Sequence, residues 1–264
     1  MAKRNRNITA NTIKRKKSQQ LGLGRLSDYS PWNTIQDSAS NSLVTRIKGW
    51  KTGRIHQILS QLQLQFFYLL EWSPQVIDIR EQFPLDQAET AALAGEVGNA
   101  KLVEQINAGN FLCLDFLVTV KNGIGTREIA RTVINSKSLT NKNLIEKLEI
   151  QRQYWAFRNT DWGIVTEKEI EPTIVKNIEW VHSSLDANCL EPLTDEHIKK
   201  AESLLTPKIQ EQILTLREIT SACDEQLDLP VGSALSIVRH LIANKRIKAD
   251  LTVPFQPAEI LKIV

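Results

Sequence analysis

Residues 53–85, GRIHQILSQLQLQFFYLLEWSPQVIDIREQFPL, carry the clearest pattern in the chain. Across 56–72 the apolar residues Ile58, Leu59, Leu62, Phe66, Leu69 and Leu70 recur at three- and four-residue steps, the period of a helix buried along one face. Ser73-Pro74 ends that helix, because the residue before a proline is pushed out of the helical region. Residues 75–83 then bring Val76, Ile77 and Ile79 into a short run that predicts a strand. The reading is of a buried helix leading into a strand.

Downstream, the Ala-rich residues 86–106 have helical propensity without a strong apolar stripe, so a helical excursion is expected there. Residues 110–120, NFLCLDFLVTV, form a continuous apolar run broken by one acid, which fits a central strand. Lys121-Asn122-Gly123 supplies a turn, and a second strand over 127–134 is expected to pair with the first. Residues 144–158, LIEKLEIQRQYWAFR, read as an amphipathic helix with Glu146, Lys147, Glu149 and Arg152 on its solvated side, and 162–166, WGIVT, as a strand. Upstream, 29–50 is loop-rich, with a few extended residues around 43–47. The fold class expected for 28–170 is therefore α/β, a mixed sheet flanked by helices.

Residues 171–264 read as a second domain, small and helical. A helix over 174–183 is followed by a polar linker, 185–192, and a helix over 194–205 with Asp195 and Glu196 favourably placed in its first turn. Leu216, Ile219 and Ala222 mark a short helix, and Leu235, Val238, Leu241 and Ile242 mark the core face of another over 233–243. Asn244-Lys245 and the extended RIKADLTV that follows resemble the turn and strand of a winged helix. Such a domain commonly sets its second helix in a DNA major groove. Arg239, His240, Lys245 and Arg246 are the only cations placed for that, which is thin for base readout, so partner binding ranks ahead of DNA binding here.

The net charge of +3 hides an asymmetry. Residues 1–27 hold Lys3, Arg4, Arg6, Lys14, Arg15, Lys16, Lys17 and Arg25 and no acid, so the rest of the chain is net acidic. A block of like charge with few large apolar groups predicts a disordered arm that neutralises phosphates, or else a merely solubilising terminus. Cys113, Cys189 and Cys223 are far apart and lack CxxC or matching His spacing, which excludes a disulfide framework and a zinc site and suggests free thiols in a reducing cytosol. No apolar run approaches the ~20 residues that span a bilayer. A soluble, cytoplasmic protein is expected.

Asp115 needs a reason, because a lone carboxylate on an apolar strand is costly unless paired, hydrogen-bonded or bound to a cation. Alternation puts it with Phe111, Cys113, Leu117 and Thr119 on one face. Two readings stand at this point: an aspartate at a wet edge or bonded to nearby backbone, and a magnesium ligand.

DYSPW at 28–32, KTGRIHQILSQLQLQFF at 51–67, LEWSPQVIDIREQFPL at 70–85, LDFLV at 114–118, LIEKLEIQRQYW at 144–155 and NIEWV at 177–181 together resemble the TnsA endonuclease subunits of heteromeric Tns-type transposases. The resemblance implies a restriction-endonuclease-like core that cuts the 5′ strands at transposon ends. It also implies a transposase partner, TnsB, an ATPase partner, TnsC, held through the C-terminal region, and Mg2+ as cofactor. In that family a helix glutamate, a strand aspartate, and a glutamine and lysine two residues apart do the chemistry. The matching positions here are Gln63, Asp115, Thr132 and Ile134, so three of the four are substituted. A neutral amide adds no charge to a metal site, and an isoleucine neither donates a hydrogen bond nor accepts a proton. The expectation is a degenerate site and an architectural subunit. The alternative is an active magnesium-dependent endonuclease with Glu128 or Lys137 taking over a lost role. Lys14, Arg15, Lys16, Lys17 and Arg25 are the expected DNA contacts.

Overall fold

The computed structural model describes residues 10–37 and 44–264. It divides into a first unit ending at Ile170 and a second, Glu171–Val264. Among the described residues no helix is long and apolar enough to cross a membrane.

In the first unit, α1 (Ala10–Ser18) is followed by a small antiparallel pair, β1 (Thr45–Lys48) and β2 (Ile55–Ile58), and then by α2 (Gln61–Trp72). The main sheet has the order β3-β4-β5-β6: Val76–Pro84, Cys113–Asn122, Gly125–Val133 and Asp161–Val165. The first two pairings are antiparallel and the last is parallel, so the sheet is mixed as expected. The expected excursion between β3 and β4 is two helices, α3 (Gln87–Glu96) and α4 (Ala100–Asn107), with Asn99 capping the second by accepting from Leu102 N. α5 (Lys142–Ala156) makes the crossover to β6.

Leu114, Leu117 and Ala130 from the sheet pack with Leu85, Leu93, Leu102, Ile106, Ile150, Tyr154 and Trp155, so α3, α4 and α5 cover one face. Phe116 lies next to Leu117 and therefore points the other way. Its ring meets Phe66 of α2 with centroids 5.7 Å apart, and α2 covers that second face.

The helix expected over 56–72 begins five residues later. Ile58 fits the helical period by coincidence, but the alternating burial of Ile55–Ile58 belongs to β2. Ser60 then starts the helix, its hydroxyl accepting from Gln63 N at 3.1 Å. The buried side is also rotated from the one expected: Gln63, Leu64, Phe67, Tyr68, Leu70 and Glu71 are buried, while Leu62, Phe66 and Leu69 are half-buried.

The arm expected to be disordered through residue 27 is folded over 10–27. Lys3, Arg4 and Arg6 lie outside the described residues. Lys16 is only 5% exposed: Nζ donates to Trp32 O at 2.7 Å and to Asn33 Oδ1 at 3.3 Å, and pairs with Asp37 Oδ2 at 3.1 Å. An added Cβ on Gly22, whose φ is +83°, would stand 2.3 Å from Pro84 Cγ, so only glycine lets this segment lie against β3. Sequence composition could not reveal these long-range partners.

A buried carboxylate fastens β1 and β2 to the main sheet. Glu81 of β3, 1% exposed, accepts from Arg54 Nη1 at 2.8 Å and Nη2 at 2.5 Å, from Gln57 N at 2.9 Å, and bonds His56 Nδ1 at 2.8 Å. Thr52 Oγ1 meets His56 Nε2 at 2.8 Å. Burial alone raises the Glu81 pKa, but the Arg54 hydrogen bonds and then His56 outweigh it and hold the carboxyl down at about 2.

The second unit contains α6 (Pro172–His182), α7 (Asp195–Glu211), α8 (Leu216–Gln226) and α9 (Ser233–Ala243). Cys223, not Ala222, faces the core of α8. Asp224 accepts from Gly232 N and Ala234 N, both at 2.7 Å, and so caps α9 from a neighbouring helix. The winged strand expected over RIKADLTV is reduced to one isolated bridge, Ala249 to Ile263. Asn177 replaces a ladder there, donating to Leu251 O at 2.9 Å and Val253 O at 2.8 Å and accepting from Phe255 N at 2.9 Å.

Removing Glu81 leaves Arg54 and His56 buried without their anion, so Glu81→Ala is expected to cost about 3–5 kcal/mol in urea denaturation. Because the folded pKa lies below the ordinary glutamate value, the stability Glu81 supplies is present above ~4.3 and is lost as pH falls toward about 2. Glu81→Gln is expected to flatten the acid limb of the stability curve.

Candidate functional site

The site is built where β4 and β5 part. Phe116 pairs with Arg131, but the β4–β5 ladder is not continued past them toward Asp115, although β5 runs on to Val133 beside β6. On the other side, Phe83 pairs with Leu114 and Glu81 with Phe116, and Gln82 between them has a φ of 51°. A left-handed glutamine is uncommon and marks a local break. The strict alternation expected from Phe111 to Thr119 is therefore not kept. Leu114 and Leu117, three residues apart, enter one core cluster.

Asp115 fills the opening. Its Oδ2 accepts from Val133 N at 2.6 Å, taking the place of a ladder acceptor, and its Oδ1 accepts from Gln63 Nε2 at 2.8 Å. Gln63 is held in turn by Leu59 N, which donates to its Oε1 at 3.0 Å. Desolvation dominates the titration of Asp115 and pushes it up to about 7, against the opposing pull of the Val133 and Gln63 hydrogen bonds. Both bonds come from neutral donors, so no cation offsets the burial.

Thr132 stands one residue before Val133 and is buried. Its hydroxyl donates to Gln151 Oε1 at 2.5 Å and accepts from Trp162 Nε1 at 3.3 Å, while Gln151 Nε2 donates to Cys113 O at 3.4 Å. Gln151 was not among the residues expected at the site. A signal was present, because its spacing from Leu148 and Trp155 places it on the inward face of α5. Ile134 is half-buried, and its N donates to Val165 O at 2.9 Å, leaving only a hydrocarbon side chain to offer.

The two proposed replacements do not join Asp115. Glu128 sits opposite Thr119, and its Oε1 accepts from Arg25 Nη2 at 2.8 Å and also from Arg80 Nη2. Lys137 is exposed on the short 3-10 helix Ser136–Thr140. Burial pushes the Cys113 thiol up to about 12, which makes it inert as a nucleophile.

Magnesium needs oxygen donors and negative charge. Here one carboxylate is engaged on both oxygens, and the amide beside it presents its NH2 to Asp115 while its oxygen is taken by Leu59. Among the described residues no group of three His, Cys, Asp or Glu side chains is arranged to hold a metal ion. The residues present do not fit a tightly held magnesium ion.

Of the expected DNA contacts, Lys14, Arg15 and Lys17 are exposed, and Arg25 is exposed but paired with Glu128. Lys16 is corrected: its ammonium is spent inside the fold. In the second unit Arg239 donates through Nε to Trp180 O at 2.8 Å, His240 Nδ1 bonds Ser184 O at 2.9 Å, and Arg246 pairs with Glu202. These side chains hold helices and loops together and are not poised for base edges.

Two family models match the chain. The TnsA-like endonuclease N terminal model covers residues 73–167, and the TnsA endonuclease C terminal model covers residues 169–251. Asp115, Thr132 and Ile134 fall inside the first match and Gln63 precedes it. The chain is also 35% identical over 256 residues to the transposon Tn7 transposition protein TnsA of Escherichia coli, spanning 97% of this chain and 92% of that protein.

The Asp115 carboxyl is expected to titrate near 7 when followed by carbon NMR of labelled aspartate. Gln63→Leu removes a donor that favours the ionised form, so it is expected to move that titration to higher pH. Adding magnesium is expected to leave the natural chain's titration in place.

Proposed function

The chain belongs to the TnsA family of transposition endonucleases, and on that premise we propose that it is the TnsA-like subunit of a Tn7-type transposase whose cutting is weak or lost and whose retained task is to hold transposon-end DNA and its protein partners. The observation that carries this reading is the state of Asp115. It is the one acid among the four family positions, it is half-buried, and both of its oxygens are bonded to neutral donors.

The family's 5′-strand cutting calls for a metal between two acids and a lysine beside the attacked phosphate. Gln63, Thr132 and Ile134 supply neither charge nor a proton acceptor, and Glu128 is committed to Arg25 and Arg80. Losing several kcal/mol of transition-state stabilisation slows cutting ~10³-fold or more, at about 1.4 kcal/mol per tenfold. What remains suits binding. Lys14, Arg15 and Lys17 present cations to phosphate. The second unit uses its own Arg239, His240 and Arg246 internally and exposes Ile213, Leu214 and Val231, which favours a protein contact over base readout. A TnsB-like transposase and a TnsC-like ATPase, the latter through the second unit, are the partners this reading assigns.

Sequencing of complete insertion products tests it, using this chain, its transposase, its ATPase and a marked element. The natural chain is expected to yield joined donor–target cointegrates, and a Gln63→Glu, Ile134→Lys double variant a measurable share of simple insertions. Simple insertions from the natural chain that disappear with Asp115→Ala would show intact 5′ cutting and overturn the reading.

A further inference from the structure

At the end of the β4–β5 ribbon every residue from 121 to 127 is exposed. Asn122 pairs with Gly125, which leaves a two-residue loop of Gly123 and Ile124. Gly123 has a φ of +60°, and Ile124 is absent from the left-handed residues, the pattern of a type II′ turn. Such a turn requires glycine at its first central position and asks nothing apolar of the second. Ile124 is nevertheless there, fully exposed, with a β-branched hydrocarbon side chain in water. Neither the turn nor the core accounts for it.

The ribbon's charge narrows what would cover that side chain. Lys121 and Arg127 flank the tip, and residues 121–127 contain no acid. The nearest acid along β5, Glu128, is neutralised by Arg25 and by the buried Arg80. The same Arg25 contact ties the segment that follows α1 to the base of the ribbon. The ribbon is thus an apolar point between two cations, with Glu128 paired to Arg25 and Arg80 and with Asp161, which Arg131 pairs, near Arg127.

Resting on the DNA-binding reading above, we propose that this ribbon is a DNA-gripping element. In it Lys121 and Arg127 contact phosphates on either side of a groove and Ile124 wedges against a base step. A two-stranded ribbon fits a DNA groove, and apolar wedges flanked by cations unstack base steps in many duplex-bending proteins. Asp115 and Asn122 lie seven residues apart on β4, ~23–24 Å at 3.3–3.4 Å per residue, and the chain reverses at the turn that carries Ile124, so the tip stands less than the ~34 Å of one helical turn from Asp115.

The test uses the full chain and duplexes of the element's terminal sequence carrying 2-aminopurine at successive positions across one helical turn. The natural chain is expected to raise fluorescence at one step. Ile124→Ser is expected to abolish that rise and weaken binding ~10-fold, while Ile124→Leu retains both. Lys121→Ala with Arg127→Ala is expected to lower the slope of log affinity against log salt by about 2, at ~0.9 per phosphate. Thermal melts should match across all variants, because each change is on the surface. If the natural chain binds no duplex, the DNA-binding reading fails and this inference with it. If the natural chain binds but the variants match it in affinity, slope and fluorescence, the ribbon inference alone is wrong. Loss confined to capture of a transposition protein, with DNA binding intact, would overturn the assignment to DNA.

Discussion

The buried Glu81 carboxylate is the interaction on which the architecture around the site depends. An anion removed from water is tolerable only where partners replace its hydration. The partners here come from 24 to 27 residues upstream: the Arg54 guanidinium, the His56 ring and the Gln57 amide. Satisfying Glu81 therefore docks β2 onto β3. β2 in turn sets Leu59 and Ser60, and these fix Gln63 through its side-chain oxygen and its backbone amide. Glu71, also buried, reinforces the join by accepting from Trp50 N.

Asp115 shows the same physics with the opposite outcome. Both carboxylates are desolvated, yet Glu81 is held at about 2 and Asp115 is raised to about 7. The difference lies in the partners, cationic in one case and neutral in the other. A glutamate at 63 would put a second charge beside Asp115. With glutamine and isoleucine the opening between β4 and β5 is closed by hydrogen bonds of the protein itself. That maintains the strand break with the protein's own hydrogen bonds.

Where local pattern and structure part, the cause is a contact from far along the chain. The cationic arm read as disordered because composition cannot register that Lys16 has Trp32, Asn33 and Asp37 to bond, or that Gly22 leaves room for Pro84. Residues 56–58 read as helix because Ile58 fits either period, although Ser60 offered a start signal that would have divided them from the helix. The wing read as a strand because its residues are β-favourable, whereas Asn177 holds that segment by side-chain bonds in place of a ladder.

The sequence by itself determined the mixed α/β core, the helical second unit and the family, because periodicity, turn chemistry and motif order are local properties of the chain. It also determined that Gln63 and Ile134 bring no charge to Asp115. Only the tertiary structure decided that Asp115 is bonded on both oxygens, that Glu128 is committed to two arginines, that Lys16 is spent inside the fold and that Gln151 joins Thr132. Those outcomes depend on which polar groups meet after distant segments pack, and in a desolvated interior the partner, not the residue type, sets the charge a group carries.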